Sequence, residues 1–117
     1  MPDSSPWVNY KLYATNDIDS TPTLVFGSQY AARLWSILAV NRTEFPFFLE
    51  MNILRDGNLS YPFIVQQKIE PYETKEIIPY SGFIMEGGDT LFGNTDFSGN
   101  RFTSLISYEE LLELPAQ

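Results

Sequence analysis

The chain contains no histidine and no cysteine. Imidazole and thiolate are the usual zinc, copper and iron ligands, and the usual base and nucleophile of acyl-transfer sites. Their absence removes most small-enzyme mechanisms, and it excludes disulfide stabilisation. Basic residues are few: seven against 15 acids, a formal net charge of −8. Such a surface repels phosphate backbones and anionic lipid, so neither nucleic acid nor a membrane is expected as a partner. No stretch approaches the roughly 18 apolar residues of a membrane span. Met1-Pro2-Asp3-Ser4-Ser5-Pro6 lacks the basic flank and apolar run of a signal peptide. Without an export signal, the sequons Asn41-Arg42-Thr43 and Asn58-Leu59-Ser60 read as chance matches.

What the sequence does have is aromatic mass, with nine Phe, seven Tyr and two Trp in 117 residues. A chain of this size is one domain that buries roughly two thirds of its unfolded surface, enough for a core without staples. The apolar period is two rather than 3.6. From Phe47 to Asp56, Phe47, Leu49, Met51 and Ile53 point one way, while Phe48, Glu50, Asn52, Leu54 and Asp56 point the other. Asp56-Gly57-Asn58 then reads as a hairpin turn. The return strand, Tyr61 to Ile69, puts Tyr61, Phe63, Val65 and Ile69 on one face and Gln66 and Lys68 on the other. Pro62 has no amide donor and belongs near a strand start or on an edge. Arg33 to Asn41 is apolar on both faces, as in a central strand or one under an oligomer contact. Further strands are expected at Trp7–Tyr13, Thr23–Phe26, Thr74–Ile78, Phe83–Met85, Thr90–Gly93 and Phe102–Tyr108. Turn residues separate them at Thr21-Pro22, Pro79 to Gly82, Gly87-Gly88-Asp89 and Phe97 to Asn100. The fold class that follows is all-β: an antiparallel sandwich or jelly roll of about eight strands, with at most one short helical turn. That turn is expected at Gln29–Arg33 or Glu109–Leu114.

Carboxylates are the abundant reactive groups. Glu109 and Glu110 are adjacent, so on a strand they face opposite ways and cannot form an acid–base pair. Glu86 with Asp89, or Glu50 with a neighbouring acid, would be the alternatives, since glycosidase chemistry needs two carboxyls about 5–10 Å apart in a cleft. Nothing in the sequence singles such a pair out, and a solvated face is the plainer explanation. Asn94-Thr95-Asp96-Phe97-Ser98-Gly99 imitates half of a calcium loop, but Leu105 stands where the bidentate Glu should fall. It reads as a hairpin with Asx-type turns. Glu86-Gly87-Gly88-Asp89-Thr90-Leu91 lacks the Lys and Ser/Thr of a phosphate loop and reads as a tight turn in which Asp89 accepts amide hydrogen bonds. No catalytic, metal-binding or cofactor residue is expected. Phe45-Pro46-Phe47-Phe48 with Tyr72, Tyr80 and Phe83 exceeds what one small core needs, and excess apolar surface most often marks a protein interface.

Four motifs in order carry a resemblance: Trp35-Ser36-Ile37-Leu38-Ala39-Val40-Asn41, Ile69-Glu70-Pro71-Tyr72-Glu73-Thr74, Met85-Glu86-Gly87-Gly88-Asp89-Thr90-Leu91 and Leu105-Ile106-Ser107-Tyr108-Glu109-Glu110-Leu111. Their order and spacing over residues 31–111 resemble those of small β-sandwich virion structural proteins of tailed bacteriophages. The resemblance implies a non-enzymatic component of the neck, tail or fibre-attachment region, or a capsid decoration protein. It would be made in the host bacterial cytoplasm, reside in the virion, and have other virion proteins as partners. The Gly-Gly-Asp turn and its following strand are also similar to cupin barrels, but the histidine motifs of a metallo-cupin are missing. Residues 1–30 have no clear counterpart in the series and are expected to be an arm that reaches a neighbour, with 31–111 as the sandwich core.

A symmetric homo-oligomer is the leading expectation, with no small-molecule substrate. Its contacts would use Trp7, Tyr10 and Tyr13, Phe45, Phe47 and Phe48, and Leu111, Leu112 and Leu114. A carbohydrate-binding sandwich, which would use exposed aromatics with an acid or amide between them, is the alternative of a different class. A carboxylate-dependent hydrolase is the third.

Overall fold

The computed structural model describes residues 7–55, 59–77, 83–96, 98–99 and 101–111, with the side chains of 7–10, 59, 83 and 111 left aside. Nine strands occupy these residues. They are β1 (Trp7–Ile18), β2 (Thr23–Gly27), β3 (Ala31–Asn41), β4 (Phe47–Arg55), β5 (Leu59–Ile69), β6 (Thr74–Glu76), β7 (Phe83–Met85), β8 (Thr90–Thr95) and β9 (Phe102–Leu111). One sheet runs β1-β9-β3-β6, with β7 also paired to β3, and the other runs β2-β8-β4-β5. All pairings are antiparallel, and the two sheets pack face to face as a β-sandwich. The segment expected as an N-terminal arm supplies β1 to one sheet and β2 to the other.

The core forms where inward-facing side chains of the two sheets meet. Val25 and Phe26 of β2, Leu34, Ile37 and Ala39 of β3, Leu49 and Met51 of β4, Leu91 of β8 and Ile106 of β9 are all buried. Tyr13, Phe26 and Tyr108 form an aromatic cluster, with Phe26 edge-on to both tyrosines at 5.4 and 4.7 Å between centroids. Phe47 and Phe102 meet at 5.8 Å nearer the other end.

The alternation expected in β4 holds: Phe47, Leu49 and Met51 are buried and Ile53 packs against the core. The face expected for β5 does not hold throughout. Between the pairs Leu49↔Gln67 and Met51↔Ile64, β5 advances three residues while β4 advances two. Gln66 absorbs the extra residue with φ of 50°, and Val65 is turned out to 70% exposure. A second shift follows before Asn52↔Pro62. Pro62 lies on an edge strand next to a register shift, the places in a sheet that tolerate a residue without an amide donor.

β3 is internal, as expected, but a shift between Leu34↔Tyr108 and Ser36↔Ser107 changes its phase. Leu34 and Ile37 therefore both face inward, and Trp35 stands on the outer face. Neither expected helical turn forms among the described residues. Ala31–Arg33 opens β3 and Glu109–Leu111 completes β9, where pairing with β3 and β1 outweighs the helix propensity of Glu and Leu. The rest of the second candidate, 112–114, and the turns at 56–58 and 79–82 lie outside the described residues.

Candidate functional site

The Gly-Gly-Asp turn lies at the end of the sandwich where β3 begins and β9 finishes. Gly88 takes φ of 88°, and a Cβ on Gly87 would stand 2.5 Å from the Gln29 carbonyl oxygen. The backbone approach therefore requires glycine at 87, and the left-handed turn favours it at 88. Gly88 N–H donates to the Ser28 carbonyl at 2.8 Å, tying the turn to the loop after β2. Asp89 is buried. Its carboxylate accepts the Glu86 amide at 3.2 Å, as the sequence led us to expect. It also takes a two-pronged guanidinium from Arg55, with Nη2 at 2.7 Å and Nε at 3.0 Å. Glu86 lies 3.7 Å from the same guanidinium. The pair weighed as an acid–base couple thus converges on one arginine, whose own pKa is held up chiefly by the hydrogen bond to Asp89. Arg55 had no signal in the sequence, since it stands 34 residues away on another strand.

Glu110 is the second buried acid at this end. Ser28 Oγ donates to its Oε2 at 2.7 Å and Lys11 Nζ to its Oε1 at 3.0 Å. The Ser28 hydrogen bond, more than Lys11, holds its carboxyl below the ordinary range against the opposing effect of burial. Glu109 faces outward, as its alternation with Glu110 requires, and accepts the indole N–H of Trp35.

At the opposite end, Asn41 closes β3 and is buried. Its amide donates to the carbonyls of Phe45 and Glu70 at 2.8 and 3.0 Å. Its Oδ1 accepts the amide and hydroxyl of Thr43. This fully used side chain joins two loops and is not open to glycosylation. Tyr72 N–H donates to the Thr43 carbonyl at 3.2 Å. The two loops present Phe45 at 60% and Tyr72 at 70% exposure.

Beside Thr43, a hollow of about 300 Å³ is lined by Asp17, Arg42, Thr43, Arg101, Phe102 and Thr103. Arg101 lies 3.5 Å from Asp19. Asp19 also accepts the amides of Ser20 and Gly99, which hold its carboxyl below the ordinary range. The imitation calcium loop is otherwise employed, with Asp96 accepting the Phe48 amide at 3.1 Å. No group of three acids is placed to share a metal ion among the described residues.

The residues expected at an interface are dispersed. Phe47 is enclosed in the chain's own core, and Tyr13 packs mainly inward against Phe26 and Tyr108. Phe45 and Phe48 are exposed. Trp7 pairs through its backbone with Leu111, and Tyr10 lies in the same strand. Leu112, Leu114 and Tyr80 fall outside the described residues.

Sequence reasoning missed the edges. Among the described residues eight large hydrophobic side chains are exposed, and five of them, Leu12, Leu24, Tyr61, Val65 and Ile84, lie on β1, β2, β5 and β7, which pair on one side only. These four strands hold one acid, Asp17, of the chain's 15. The remaining edge, β6, reads Thr-Lys-Glu and carries no exposed large hydrophobic.

Fold and site together define an antiparallel β-sandwich with closed buried carboxylates and apolar, acid-poor edges. Comparisons with protein families, curated proteins and solved structures found no match to this chain.

Proposed function

We propose that the chain is a non-enzymatic building block that assembles with copies of itself through the edges of its two sheets. One observation carries the reading: four edge strands share a single acid while presenting five exposed large hydrophobic side chains. Native monomers blunt sheet edges with charge and short strands, as β6 does here. An acidic protein that keeps all but one of its acids off β1, β2, β5 and β7 leaves edges that like-charged copies can bring together. Fully burying a side chain of this size contributes about 1.5–3 kcal/mol, so several in one contact offset the cost of association.

The non-enzymatic part of the reading rests on the carboxylates. A general acid needs a raised pKa beside an ionised partner. Glu110 and Asp19 are instead moved down, and Asp89 is held by a bidentate arginine.

The setting we propose is the virion of a tailed bacteriophage, in the neck, tail or fibre-attachment region, with capsid decoration as the other placement. Its support is the motif series seen in the sequence. The four motifs fall on structurally demanding parts of the sandwich: the internal strand β3 with its Asn41 bracket, the Pro71 turn, the Gly-Gly-Asp turn clamped by Arg55, and the shared strand β9. A mass-spectrometric inventory of purified particles, made from the phage whose genome encodes the chain, tests this setting. We expect the protein at a fixed, symmetric copy number per particle. Its absence from particles, with the protein abundant in the infected cell, overturns the setting.

A further inference from the structure

We propose that the hollow beside Thr43 binds a neutral sugar unit, held between Asp17 and Arg42. The site goes beyond assembly and stands on different residues.

Asp17 is placed there by a departure from regular strand geometry. Between Thr15↔Ser104 and Ile18↔Phe102, β1 advances three residues while β9 advances two. Asp17 sits in that bulge with φ of 55°. A bulge re-aims a side chain, and a left-handed non-glycine residue is a cost that surrounding structure must hold in place. Tyr72, on the adjoining loop, also has a left-handed backbone, with φ of 59°, and leaves its ring exposed. Asp17, one of three non-glycine residues with positive φ among the described residues, therefore lines the hollow itself.

The charges within it are opposite and separate. Arg101 is engaged by Asp19. Arg42 and Asp17 line the same hollow, yet neither has an ion-pair partner among the described residues, including each other. A guanidinium only donates hydrogen bonds and a carboxylate only accepts them, whereas each sugar hydroxyl does both. Vicinal hydroxyls can therefore donate to Asp17 and accept from Arg42 with no net charge transferred into the site. A phosphate or a carboxylate would be drawn to Arg42 and repelled by Asp17.

The volume of about 300 Å³ lies at the small end of the range for ligand sites and suits one ring. Thr103 adds a hydroxyl on the wall, held by Asn16 Oδ1 at 2.9 Å.

Saturation-transfer NMR on the full chain tests this, because it reads the ligand and tolerates any oligomeric state. The probes are the methyl pyranosides of glucose, galactose and mannose, with sodium acetate and inorganic phosphate as anions. We expect at least one pyranoside to bind with Kd on the order of 1 mM. Asp17→Asn and Arg42→Ala should each weaken it about tenfold or more while leaving the melting temperature and sedimentation unchanged. Asn is chosen because it tolerates the left-handed backbone. Three outcomes overturn the proposal: no pyranoside binds, the bound pyranoside is indifferent to both variants, or acetate and phosphate displace it at equal concentration.

Discussion

Glu110 shows how one side chain couples the fold to pH. It faces the interior on β9, where an unpaired carboxylate would be costly, and Ser28 and Lys11 take up its two oxygens. Folding lowers its pKa from the ordinary 4.5. A carboxyl depressed in this way contributes stability that is complete above its unfolded value and is lost as pH falls through the lower folded value. Ser28→Ala removes the largest cause of the depression. We expect the Glu110 carboxyl to titrate at higher pH in carbon-detected NMR, and the acid-unfolding midpoint followed by circular dichroism to rise. A titration unchanged by the substitution contradicts the role given to Ser28. On the alkaline side, the Lys11 ammonium is raised above 10.5 by the same partner. Its contribution is therefore complete below that value and fades as pH climbs through the folded one.

At the scale of elements, β4 gives the sharpest test because its neighbours Met51 and Asn52 face opposite ways. Met51 is fully buried between the sheets and Asn52 is half-buried on the outer face. Met51→Asp places an unpaired charge in the core, a loss of several kcal/mol out of a typical total of about 5–15, so the domain should be unfolded at room temperature. Asn52→Asp should stay within about 0.5 kcal/mol of wild type. Thermal melts of the two variants check this, and equal effects contradict the face assignment. β4 was legible in the sequence because it keeps strict alternation from Phe47 to Ile53. β5 was legible only in part. The positive φ of Gln66 follows from pairing with β4, and no residue in Ile64-Val65-Gln66 announces it. The phase change at Trp35 arises the same way against β9. Periodicity identifies a strand, but bulges are settled between strands, and each one turns the later side chains to the other face. Asp89 was legible as an amide acceptor because that bond is local, while its stronger partner, Arg55, depends on tertiary structure.

At the scale of the whole molecule, the aromatic excess in the sequence correctly pointed to surface, but not to which residues supply it. Phe47 went to the core, and the exposed large hydrophobics on the described strands, Phe48 of β4 excepted, lie at the edges because sheet order, unknowable from alternation alone, decides which strands lack a second neighbour. The hollow was equally hidden, since Asp17, Arg42 and Arg101 come from the end of β1, the loop after β3 and the residue before β9. The formal net charge is −8, and on the assembly we propose the scarcity of acids on four edge strands lets like-charged copies approach there. Sedimentation velocity of the wild-type chain beside Leu12→Asp and Val65→Asp tests this most directly. The account predicts a discrete oligomer for wild type, and a shift toward monomer in at least one variant whose melting curve still shows a folded domain. A wild-type chain that sediments as a compact monomer at every concentration, indistinguishable from both variants, would contradict it.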